Sequence, residues 1–147
     1  MEILMSLKQI PSIANIKKAA AGVLKSYPVI SAYVFGSITK KANFPADIDI
    51  AIYLKPQSGL SLREELRLGI ELEKRSGLSP IDLRILNEAS LSFQGEVLKS
   101  GILIFSSDEK ARVSYEVKVY RRYFDYLYYL KRLQDSFLHS VAERGII

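Results

Sequence analysis

Three aspartates and one Gly-Ser turn are the residues best suited to chemistry in this chain. Gly36-Ser37 closes an apolar stretch, nine residues follow, and Asp47-Ile48-Asp49 then opens the next one. A strand has a side-chain period of two, so Asp47 and Asp49 project to one face and Ile48, Ile50 and Ile52 to the other. Two carboxylates on one face, at most about 7 Å apart along the strand, repel each other unless a cation lies between them. Hard oxygen donors of this kind suit Mg²⁺, which takes one or two carboxylates and completes its shell with water and phosphate oxygens. The Gly36-Ser37 turn can offer backbone N–H groups and a hydroxyl to those phosphates. The pattern therefore implies a site for a metal-bound nucleoside triphosphate. Asp82, in Ile81-Asp82-Leu83, supplies a third carboxylate. If its strand lies beside the first, it can share a second metal or take a proton from an acceptor hydroxyl as general base. Lys40 and Lys41 follow the turn, with Lys40 the better candidate for a phosphate contact. Arg84 shares a strand face with Asp82 and is expected to pair with a carboxylate.

These groups need a scaffold, and the periodicity supplies one. Ile13, Ile16, Ala20, Val23 and Leu24 follow helical spacing, with Ser12 as cap and Pro28 beyond the end. Val29 to Phe35 reads as a buried strand, Ser37 as the cap of a short helical turn, and Asp47 to Leu54 as the carboxylate strand. Ser61 and Glu64 form a capping box for a helix with Leu62, Leu66 and Ile70 on its apolar stripe, ended by a left-handed cap at Gly77. Ile81 to Leu86 is a third strand, with Asp82 on one face and Ile81, Leu83 and Ile85 on the other. Leu91 to Lys99 is a short helix closed by Gly101, and Ile102 to Phe105 a fourth strand. Ser107 or Asp108 caps a final helix running to about Phe137, with a frayed tail from Ser140. The expectation is an α/β (α+β) fold: one domain over residues 1–147, with a small mixed sheet of about four strands flanked by helices.

Composition narrows the function classes. The 147 residues include no cysteine and one histidine, His139. This excludes a disulfide framework, a thiolate zinc site, a cysteine nucleophile and a His-based metal cluster. No apolar run approaches the roughly 20 residues that span a bilayer. The first residues lack the pattern of a signal peptide, so a soluble cytoplasmic protein is expected. The net charge of +5 favours a phosphate-bearing ligand or acidic partner. Basic residues are scattered, so nucleic acid is not expected as the direct ligand.

Together these residues resemble the nucleotidyltransferase superfamily with the polymerase β-type palm, and within it the minimal nucleotidyltransferase (MNT) antitoxins of HEPN toxins. The family signature G-S-x-A-R-G, a loop, then S-D-I-D appears here as Gly36-Ser37-Ile38-Thr39-Lys40-Lys41 through Ala46-Asp47-Ile48-Asp49. Thr39-Lys40-Lys41 stands where the family has A-R-G, and Ala46 where it has serine. The loop is one residue shorter than usual. The resemblance continues through Ile81-Asp82-Leu83, Leu86-Asn87, Glu96 to Gly101, Leu103 to Phe105, Tyr115-Glu116 and Tyr123 to Asp125. It implies a palm-like fold with a long C-terminal helix, and Mg²⁺-dependent transfer of AMP from ATP to a tyrosine of a HEPN RNase toxin. Asp47, Asp49 and Asp82 would be the catalytic and metal-binding residues, and Gly36, Ser37 and Lys40 would bind nucleotide. Two alternatives stay open: an antitoxin acting by binding alone, and a transferase acting on a small hydroxyl compound.

The final helix points to a partner. Between Arg112 and Phe137 it holds eight of the fifteen aromatic residues, Tyr120, Tyr123, Phe124, Leu127 and Leu130 sharing one face and Tyr115, Val119, Tyr126 and Tyr129 spreading to others. A helix apolar around so much of its circumference is covered on more than one side. A toxin or a second copy of the chain is expected there.

Overall fold

A computed structural model describes the backbone of residues 2–36 and 47–145, with side chains from residue 13. The turn expected at Ser37, with Lys40 and Lys41, lies outside the described residues. Helix α1 (Glu2–Val23) leads through a 3₁₀ turn (Leu24–Ser26) into β1 (Val29–Phe35). Then come β2 (Ile48–Leu54), α2 (Leu62–Ser76), β3 (Ile81–Ile85), α3 (Leu91–Ser100), β4 (Ile102–Ser106) and α4 (Glu109–Glu143). The strands form one sheet in the order β3-β2-β1-β4. Strand β1 pairs antiparallel with β2 and β4, while β2 and β3 are parallel, joined by α2 as crossover. The sheet is thus mixed and four-stranded, as the sequence predicts.

Alternation along β2 sorts its side chains into two cores. Ile48, Ile50, Ile52 and Leu54 are buried beneath α1 and α2, packed with Ile16, Ala20, Leu68 and Leu72. Ala51, with Tyr33 of β1, is buried on the opposite face under Val97 and Leu98 of α3 and Tyr115 and Val119 of α4. Asp49 belongs to that second face, one pleat beyond Ala51.

Four sequence expectations change. Helix α1 begins at Glu2, so Ser12 lies inside it and does not cap it. The good helix formers before Pro11 carry the helix through a residue that lacks a donor. On α2 the core stripe is Leu68 and Leu72, whereas Leu62, Leu66 and Ile70 are exposed. Two apolar stripes alternate on this helix, and packing against α1 selects one. On α4 the packed stripe is Tyr115, Val119 and Tyr123, and Phe124 and Leu127 are exposed. The same helix continues past Ser140 to Glu143, with Val141 buried, so the tail is not frayed there.

The caps predicted for α2 are formed. Ser61 Oγ accepts from the Glu64 N–H while the Glu64 carboxylate accepts from the Ser61 N–H, and Gly77 adopts φ 73°. Ser61→Ala should therefore cost about 1 kcal/mol in urea unfolding.

A polar relay ties α4 to the sheet. Ser31 donates to the Tyr33 hydroxyl (3.1 Å), Tyr33 donates to Glu116 (3.0 Å), and Glu116 accepts from Arg112 (2.7 Å). Burial first, then the Glu116 charge, pushes the Tyr33 hydroxyl well above the usual phenol range, so it stays a donor. Nearby, Gly95 of α3 lies against the Tyr123 ring so closely that any Cβ would enter it. Gly95→Ala should force the two helices apart and cost about 1–3 kcal/mol, read as a lowered melting temperature.

Candidate active site

Strands β2 and β3 are parallel, and their register places Asp49 directly beside Asp82. Both residues lie two positions or fewer from the start of their strands, so the carboxylates gather at one end of the sheet. Neighbouring strands are about 4.8 Å apart, which leaves no room for intervening protein. Asp47 precedes β2 and is exposed. On the other side of Asp49 lies β1, whose last residue Phe35 is its register partner. Gly36 follows with φ 80°, a conformation natural to glycine, and a Cβ there would strike the Asp49 carboxylate. Gly36, Asp49 and Asp82 are thus contiguous.

The electrostatics follow from this crowding. Burial, then the negative charges of Asp82 and Asp47, raise the Asp49 carboxyl above the ordinary carboxylate range, and Arg84 partly offsets them. Asp82 is about half exposed and pairs with Arg84 at 3.6 Å, as expected for that arginine. The Arg84 guanidinium also sits 5.9 Å from the centre of the Phe93 ring, which packs edge-on against Phe35. Phe93 is therefore a wall of the site that the sequence reading missed. Helices α3 and α4 cover the face over Ala51, while Asp49 is half-buried and Asp82 exposed.

The donor set fits a hard divalent cation: two adjacent carboxylates with a third nearby, all oxygen, one held in unfavourable ionisation. Among the described residues, no three His, Cys, Asp or Glu side chains converge as a ready-made cage. A hard divalent cation needs only one or two carboxylates when other oxygens complete its shell. Of the other predicted nucleotide contacts, Gly36 is at the site, and Ser37 and Lys40 lie outside the described residues. A separate groove of about 690 Å³ occupies the other end of the same face, lined by Tyr53, Asn87, Gln94, Tyr115, Lys118 and Arg122 among others. None of the three aspartates borders it.

The family described as polymerase beta, nucleotidyltransferase matches residues 18–110, which include the turn, all three aspartates and the whole sheet. The chain belongs to the polymerase beta nucleotidyltransferase family. No curated protein matches the sequence significantly. Among solved structures, a chain of a toxin–antitoxin crystal structure with AMP-PNP superposes with TM-score 0.63 at 20% identity, over 83% of this chain and 98% of that one. A chain from the complex of a tri-AMPylated Shewanella oneidensis HEPN toxin with MNT antitoxin gives TM-score 0.62 at 20% identity, over 86% and 98%. At these identities the likeness establishes the nucleotidyltransferase fold. Among the described residues, no helix is long and apolar enough to cross a membrane.

Proposed function

We propose that this nucleotidyltransferase is an antitoxin that transfers AMP from ATP to a tyrosine hydroxyl of a HEPN RNase toxin and thereby silences it. The observation that carries the reading is the in-register pair Asp49–Asp82 beside the Gly36 turn. Family membership supplies the reaction class. The fold shared with chains of toxin–antitoxin complexes, one of them holding a tri-AMPylated toxin, supports the acceptor class. The reading treats residues 1–147 as one domain acting in the cytoplasm on a protein, not on nucleic acid.

In this reading Asp47 and Asp49 hold Mg²⁺, and Asp82 shares a second ion or acts as base. The bound cation supplies charge neutralisation on the triphosphate oxygens. The Gly36-Ser37 turn and Lys40 position the phosphates. The acceptor oxygen forms a bond to the α-phosphorus, the bond between that phosphorus and the bridging oxygen breaks, and pyrophosphate leaves with the electron pair. Asp82, half exposed, takes the hydroxyl proton once Arg84 yields. Positioning and charge account for most of the acceleration in such transfers.

A second reading, neutralisation by binding alone, draws on the altered turn, where Thr39-Lys40-Lys41 stands for A-R-G and Ala46 for serine. One experiment separates the readings: labelled ATP, Mg²⁺ and the neighbouring gene product, with Asp47→Asn as control. Label on the partner that vanishes in the variant supports transfer. Neutralisation that survives the variant without label supports binding alone. Label only on added small hydroxyl compounds moves the acceptor class.

A further inference from the structure

Beyond Tyr123, α4 is exposed until burial resumes at Val141. All sixteen residues from Phe124 to His139 are exposed, yet nine of them are large hydrophobics. Their order is regular. Val119 and Tyr123, buried on the sheet face, begin a series that Tyr126, Leu130, Leu133 and Phe137 continue. The steps alternate between four and three residues, a repeat of about 3.5 that matches a second helix. Exposure rises along it from 37% at Tyr126 through 41% and 49% to 63% at Phe137, so the packed seam runs on uncovered.

The charges indicate what covers it. From Phe124 to His139, Lys131 and Arg132 balance Asp125 and Asp135, so the segment neither repels its own kind nor selects a charged partner. The positions flanking the seam hold Leu127, Tyr129, Gln134 and Ser136, all uncharged. The next flanking positions outward on one side are Arg122 and Glu143, of opposite sign and both exposed, Glu143 lying 3.1 Å from His139 of its own helix. In an antiparallel pair these two flanking positions face each other, whereas in a parallel pair they do not.

We propose that the distal half of α4 binds a second copy of this chain as an antiparallel two-helix coiled coil. Tyr126 then lies opposite the partner's Phe137, and Leu130 opposite the partner's Leu133. Arg122 meets the partner's Glu143 at each end. The exposed segment is about 24 Å long, so the two catalytic bodies sit at opposite ends with both carboxylate sites clear.

Sedimentation of the full chain across a concentration series tests this, with circular dichroism as the check on folding. Wild type is expected to show a monomer–dimer equilibrium. L130E and L133K should each weaken it by more than about a hundredfold, because each buries an unpaired charge. Mixed together they should form a heterodimer, since antiparallel pairing sets the new carboxylate against the new ammonium. Wild type that stays monomeric at several hundred micromolar overturns the proposal, as does a dimer indifferent to both variants. A mixture no tighter than either variant alone overturns the antiparallel arrangement. Monomeric wild type whose toxin binding is lost in L130E assigns the seam to the toxin instead.

Discussion

Asp49→Asn should lower nucleotidyl transfer by at least about a thousandfold while making the metal-free protein more stable. The two effects share one cause. Asp49 is partly buried between Gly36 and Asp82, and burial and the Asp82 and Asp47 charges both oppose its ionisation. The sign follows from linkage. A carboxyl whose pKa is raised by folding binds more protons in the native state than in the unfolded one. Its stability penalty is absent in acid, where both states are protonated. It grows as pH rises from the ordinary carboxylate value through the raised one. Urea unfolding in EDTA between pH 4 and 7 should show wild type falling below Asp49→Asn as pH rises. Added Mg²⁺ and a non-hydrolysable ATP analogue should reverse that order, because only wild type gains the ligand's stabilisation. A variant that keeps full transfer, or wild type unaffected by pH and cation, sinks this account of the site.

Gly36→Ala should cost about 1–3 kcal/mol of stability and at least about a hundredfold in transfer. Its φ of 80° is uncomfortable for any L side chain, and the added methyl meets the Asp49 carboxylate. Either the backbone at Gly36 shifts or Asp49 rotates away from Asp82. Thermal melting and initial rates on the same preparation check both halves. Gly77→Ala is the useful comparison: it shares the positive φ but its Cβ would meet open space. It should show the strain without the catalytic loss.

Much of this protein was legible in one dimension. Strand alternation put Asp49 opposite Ile48 and Ile50, and Asp82 opposite Ile81 and Leu83, because a period of two is local geometry and requires no partner. The capping box at Ser61, the left-handed Gly77 and the bounds of β1 came from similarly local signals. Short-range backbone chemistry is written residue by residue, so these features survive without tertiary context. What lay beyond the sequence was every choice between equally apolar surfaces. Leu62, Leu66 and Ile70 on α2 looked as fit for burial as Leu68 and Leu72, and Phe124 and Leu127 on α4 as fit as Tyr115 and Val119. Hydrophobicity measures only the tendency to leave water, and it does not name the surface that receives the side chain. Docking of α1 on α2, and of α3 on α4 through Gly95 and Tyr123, made that choice. The same docking left residues Phe124 to His139 of α4 exposed. The sequence determined which way Asp49 and Asp82 point along their strands. Tertiary packing alone decided that Asp82 would stand beside Asp49, because the parallel register of β2 and β3 depends on how α2 crosses between them.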